Sequence, residues 1–160
     1  KNQKMNIGFE ILASILCVGR NSRLVKVLKE EKNLVQSIYV DVNGGELGGL
    51  LIIEACCDEI NLKSVEEEIN VSIQELISFK NLTLNELRKA INIVKSNYIF
   101  SLETSTQLTS FFGNELLWDR KNSIRDLNNQ LEYWNNLENF KEITNLLSRK
   151  KFTFIASTAK

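Results

Sequence analysis

The chain has 160 residues, 43% of them hydrophobic and 25% charged, an ordinary globular mixture that excludes fibrous and disordered classes. Twenty basic residues balance twenty acidic ones, so the excess positive charge of a dedicated nucleic-acid or anionic-membrane binder is missing. Histidine is absent, which excludes a histidine triad, a histidine general base and a histidine-ligated metal within these residues.

Proline is absent too, so Asn, Asp, Ser and Gly must punctuate the chain. From Met5 to about Val18, apolar residues recur at Ile7, Ile11, Leu12, Ile15 and Leu16, the spacing of a helix. Gly19 is placed to close that helix in a left-handed conformation. Gly19-Arg20-Asn21-Ser22 reads as a turn, and Ser22 opens a second helix from about Arg23 to Lys32.

The period then changes to two. Ile38, Val40 and Val42 alternate with Ser37, Tyr39 and Asp41, the mark of a half-buried strand. Asn43-Gly44-Gly45 and Gly48-Gly49 are turn residues, and Leu50 to Cys57 follows as a second strand, apolar on both faces apart from Glu54. Together they predict an antiparallel hairpin whose second strand is well covered.

After Asp58 the pattern is helical. Val65, Ile69, Ile73 and Leu76 form one stripe, and Thr83-Leu84-Asn85-Glu86 is a capping box opening a helix through Leu87, Ala90, Ile91, Val94, Tyr98 and Leu102. A further helix runs from Ser105 to about Trp118 with Leu108, Phe111, Phe112, Leu116 and Leu117. Another begins at Ser123 and carries Leu127, Leu131 and Trp134 in register. A last one is capped by Asn139 to Glu142 and uses Phe140, Ile143 and Leu147. Phe152 to Ser157 reads as a closing strand. The order predicts an α+β domain over residues 1–160: a two-layer sandwich with a mainly antiparallel sheet covered on one face by helices.

Local chemistry is sparse. Glu66, Glu67 and Glu68 fan over about 200° of helix and read as a solvated face. The hairpin glycines lack the strand-loop-helix setting and the Lys-Ser/Thr of a phosphate loop. Phe111, Phe112, Trp118, Tyr133 and Trp134 could form a stacking platform, but at helical spacing with aliphatic partners they read as core. Cys17, Cys56 and Cys57 form no disulfide or metal framework; as buried, reduced thiols they predict a cytoplasmic protein. No apolar run reaches the ~20 residues of a membrane span. The chain opens Lys1-Asn2-Gln3-Lys4 and turns directly into a helix, which predicts a fragment of a longer chain whose first strand precedes Lys1.

One segment goes further. From Gly19-Arg20-Asn21-Ser22-Arg23-Leu24 through Leu28-Lys29-Glu30-Glu31-Lys32-Asn33-Leu34-Val35-Gln36-Ser37-Ile38 it resembles the Gly, Ser-Arg-Leu, Leu-Arg-Glu-Lys, Gly-Leu-x-Tyr-Ser-Val signature of the pitrilysin, insulinase and mitochondrial processing peptidase family, the inverted zincins. Leu82-Thr83-Leu84-Asn85-Glu86-Leu87-Arg88-Lys89-Ala90 is similar to the opening of that family's next helix. The resemblance covers most of residues 5–156. It implies a non-zinc-binding domain of a zinc metalloendopeptidase, shaping the chamber that encloses a peptide while zinc, carried elsewhere in the parent protein, does the chemistry. The same resemblance admits a structural or assembly subunit without protease activity. It implies as partners the remaining domains or a homologous subunit, and a peptide substrate. By family position Lys29 and Gln36 stand where an Arg and a Tyr hold substrate; lysine loses the bidentate fork and glutamine the phenol. That departure favours the second domain of a half, with Lys29 as an exposed helix residue and Gln36 as a polar residue leading into the strand.

Overall fold

A computed structural model describes residues 3–44, 48–117, 123–148 and 152–157. Its first helix, α1 (Gln3–Cys17), is where the rest assembles. The stripe from Ile7 to Leu16 predicts one buried face. In fact every residue from Ile11 to Leu16 is buried, together with Ile7 and Gly8. The reason is that α1 is covered twice, by the hairpin on one side and by helices on the other.

The hairpin consists of β1 (Ser37–Gly44) and β2 (Gly49–Cys56), antiparallel, with Ser37 opposite Cys56 and Gly44 opposite Gly49. Its pleat separates two faces. Ile38, Val40, Leu51 and Ile53 turn onto the core, while Tyr39, Asp41, Leu50, Ile52 and Glu54 occupy the other face. Tyr39 and Leu50 are each 66% exposed, so β2 is not the well-covered strand its apolar run predicts.

On the far side of α1 lie α3 (Leu84–Phe100), α5 (Ser123–Trp134) and α6 (Leu137–Ser148), with α2 (Leu62–Ile77) against α6 and α4 (Ser105–Leu117) peripheral. The architecture is the α+β arrangement the element order predicts, with helices on one face of an antiparallel sheet. The sheet is thinner than expected, however. Residues 152–157 make no strand, and Phe152, Phe154 and Ile155 are 53%, 51% and 85% exposed. A strand needs a neighbour for its backbone donors and acceptors, and neither strand of the hairpin pairs with this segment. Phe112 likewise is half exposed and Phe111 only partly buried, because α4 does not reach the core. Trp118 lies outside the described residues. Tyr133 and Trp134 do join the core, Trp134 completely.

Trp134 pins the N-terminus of α1. Its indole Nε1 donates to the Lys4 carbonyl at 2.9 Å, its ring meets Tyr133 and Phe140 edge to face, and the Lys4 ammonium lies 3.0 Å from the Tyr133 ring centroid. The turn into α6 differs from the expected cap: the helix starts at Leu137, and Asn136 Oδ1 accepts from the Glu138 amide at 2.8 Å.

Gly8 is what lets α1 approach α5 and α6 so closely. A Cβ there would sit 2.5 Å from Ile143 Cδ1 and 2.9 Å from Trp134 Cζ2, both in side chains with no exposed surface. Gly8→Ala gains about 1 kcal/mol of helix propensity but costs about 1–3 kcal/mol in overpacking. The expected outcome is a net loss in urea unfolding, and an unchanged or raised midpoint would contradict this packing.

Candidate functional site

The signature segment begins at Gly19, whose φ of 89° ends α1 in the left-handed region, where glycine is favoured. Ser22 closes the turn by donating both its amide and its hydroxyl to the Gly19 carbonyl, at 3.1 and 2.7 Å. The second predicted helix then takes an unexpected form. Residues Val25–Glu31 are a π-helix, closed by the Lys32 amide on the Val27 carbonyl at 3.0 Å. Leu24 and Leu28 are fully buried beneath it.

Arg23 lies at the base of this helix and reaches across to α3. Its Nε and Nη2 donate to the two carboxylate oxygens of Glu86 at 2.8 and 3.0 Å, a fork with side chains only 14% and 29% exposed. Glu86 is also the third residue of the capping box. Its amide donates to Thr83 Oγ1 at 3.1 Å as expected, while its carboxylate holds Arg23. Sequence reasoning identified both motifs and missed that they join.

Lys29 is exposed on the π-helix among paired charges. Arg20 binds Glu30 at 2.7 Å, Lys26 lies 3.6 Å from Glu31, and Lys32 pairs with Glu68 on α2. The Arg20 hydrogen bond, with Lys29 nearby, draws the Glu30 carboxyl below its usual range. Gln36 is exposed at the foot of the hairpin. Its amide donates to the Cys56 carbonyl at 2.8 Å and its side-chain oxygen accepts from Cys56 Sγ at 3.7 Å. No hydrogen bond joins Lys29 to Gln36 among the described residues.

Other reactive groups are tied into structure. Cys56 is exposed, against expectation, because β2 ends at the rim of the sheet; Cys17 and Cys57 are half-buried. Burial raises the thiol pKa of Cys17 and Cys57, which keeps both protonated at neutral pH and poor as nucleophiles. A cleft of about 210 Å³ between α3 and α5 is floored by Ile91 and Leu131 and rimmed by Arg88, Lys95, Glu132 and asparagines. It offers polar contacts but no nucleophile-base pair. Among the described residues no group of three or more Cys, Asp and Glu is gathered that could hold a metal ion. Nor is any helix there long and apolar enough to cross a membrane.

Three comparisons bear on this arrangement. By sequence the chain is 28% identical over 144 residues to the uncharacterized zinc protease YmxG of Bacillus subtilis (strain 168), covering 89% of this chain and 34% of that one. By structure it is similar to the crystal structure of a protease from Helicobacter pylori, with a TM-score of 0.76 and 20% identity over 91% of this chain and 35% of the other. The chain therefore spans about a third of the length of these relatives. The structural likeness shows a shared fold, a helix-covered antiparallel hairpin. The family model for the peptidase M16 inactive domain matches residues 1–94, and the chain belongs to that family. A metallopeptidase zinc of the kind the resemblance implies is held by imidazoles and a carboxylate; with no histidine anywhere, these residues do not fit it.

The acid whose pKa burial raises, Glu10, is structural. Its carboxylate accepts from Asn6 Nδ2 at 2.8 Å and from the Tyr98 hydroxyl at 3.3 Å, joining α1 to α3, and burial raises its pKa above the ordinary 4.5. The folded state thus holds this proton more tightly than the unfolded chain. The stability it contributes is complete below 4.5 and is lost as pH rises through the folded-state value. Glu10→Gln should abolish that loss. Urea midpoints taken from below 4.5 to neutral pH are expected to favour the variant increasingly as pH rises; a constant difference would contradict the assignment.

Proposed function

We propose that this chain is the non-catalytic domain of a longer zinc-dependent metalloendopeptidase and forms part of the wall that encloses its peptide substrate. The observation that carries this reading is a peptidase M16 inactive-domain match in a chain without a single imidazole. The relative named as a zinc protease, about three times as long as the matched stretch, supports placing the metal in another part of the protein.

Within that role the hairpin serves as a backbone template. Its two strands form the whole sheet among the described residues, so each leaves one edge able to accept an extended peptide as an added strand. Of the two signature positions that would meet substrate, Lys29 is exposed with no ion pair among the described residues to hold it, whereas Gln36 is engaged with Cys56. The three free thiols support a cytoplasmic setting.

The test is a peptidase assay on two purified proteins, the 160-residue chain and the product of the whole reading frame that contains it. With zinc supplied, the short chain is expected to cleave no unstructured peptide, and the long one to cleave it until a chelator removes the metal. Chelator-sensitive cleavage by the short chain alone would overturn the assignment. An inactive long protein that still assembles with a subunit of the same family would turn it into a structural subunit.

A further inference from the structure

Helix α4 carries apolar residues at Leu108, Phe111, Phe112 and Leu116, the spacing of a single helix face. Leu108 and Phe111 are partly buried, but the Phe112 and Leu116 side of that face is left open by the described chain. Phe112 is 49% exposed, Leu116 81% and the neighbouring Leu117 75%, and none of the five belongs to the hydrophobic core or packs against it. The ring of Phe111 meets Phe112 edge to face at 5.6 Å. Just before α4, Ile99 and Phe100 at the end of α3 are also more than half exposed.

The polar side of α4 is as informative as the apolar one. Ser105, Thr106, Gln107, Thr109 and Ser110 are uncharged, and the one ionisable residue of the helix, Glu115, lies between Phe111 and Phe112 on the other face and is turned inward, buried. A helix that keeps a face in water normally carries lysine and glutamate there. One charged residue in 13, in a chain that is 25% charged, is instead the composition of an interface interior, where charge is depleted.

We infer that the apolar face of α4 seats against a second domain of the same protein, in the part that corresponds to the two-thirds of the relatives lying beyond the matched stretch. The inference rests on the reading of this chain as one domain of a longer peptidase. Size selects this occupant over a second copy. A free-standing specific interface buries about 800 Å² on each partner, and a few side chains of one short helix fall well short of that. A domain tethered in the same chain meets the helix at high effective concentration, so a patch of this size is enough to hold it. Opposite Phe112 and Leu116 the matching surface must itself be apolar, since burying an unpaired charge against them would be costly.

Hydrogen exchange read by mass spectrometry tests this on the 160-residue chain and on the full reading-frame product. The amides of α4 are expected to exchange at least tenfold more slowly in the longer protein. The double variant Phe112→Arg, Leu116→Arg should remove that protection while leaving the melting temperature of the 160-residue chain unchanged, since neither side chain touches its core. Equal exchange of α4 in the two proteins would overturn the inference. So would protection in the short chain that grows with its concentration alongside a dimer in light scattering, which would assign the face to a second copy. A reading frame that ends at Lys160 would sink the longer-peptidase reading and this inference together; a longer frame with an unprotected α4 sinks the inference alone.

Discussion

The double burial of α1 is the constraint from which the remaining structure follows. A helix covered on one side can vary on the other; one pressed between a hairpin and three helices has no free side. Its small residues become as important as its large ones. Gly8 lies against Ile143 and Trp134, and Ala13 and Ser14 are buried between aliphatic neighbours. The polar groups near this helix are used to fix it in place. Lys4 offers its carbonyl to Trp134 and its ammonium to Tyr133, Glu10 ties it to Tyr98, and Cys17 donates to the Ile38 carbonyl at 3.2 Å.

The same economy governs the charged residues. Arg23 and Glu86 brace the π-helix against α3, Lys32 and Glu68 link it to α2, and Arg20 and Glu30 close its outer edge. Exposed pairs of this sort contribute little each, about 0–1 kcal/mol, whereas the partly buried Arg23 fork contributes more. None of them leaves a carboxylate poised beside a nucleophile. The polar contacts of the described residues hold the shape of the domain, in keeping with the match to the peptidase M16 inactive domain.

Much of this was legible from the residues, and the failures share a cause. The alternation of Ile38, Val40 and Val42 gives the hairpin and its buried face directly, and Thr83 with Glu86 marks the start of α3 to the residue. Local signals sufficed there because neighbours in sequence make the contacts. The π-helix was not legible, because Leu24 and Leu28 fit an α-helix equally well. Phe112, Leu50 and the segment 152–157 were misread for the opposite reason. Their apolar patterns signal burial, but burial depends on a neighbouring surface that the local pattern does not specify. For Lys29 and Gln36 the family position was visible in the sequence, while the bond that engages Gln36 with Cys56 needed the fold.

On the proposed function the metal centre lies elsewhere in the parent protein and this chain serves as scaffold. Native mass spectrometry of the 160-residue chain with a small excess of zinc measures that most directly. The predicted spectrum is that of the metal-free mass after desalting, with only weak, non-stoichiometric adducts. One zinc ion retained per chain, and lost on acidification as its ligands protonate, would contradict it.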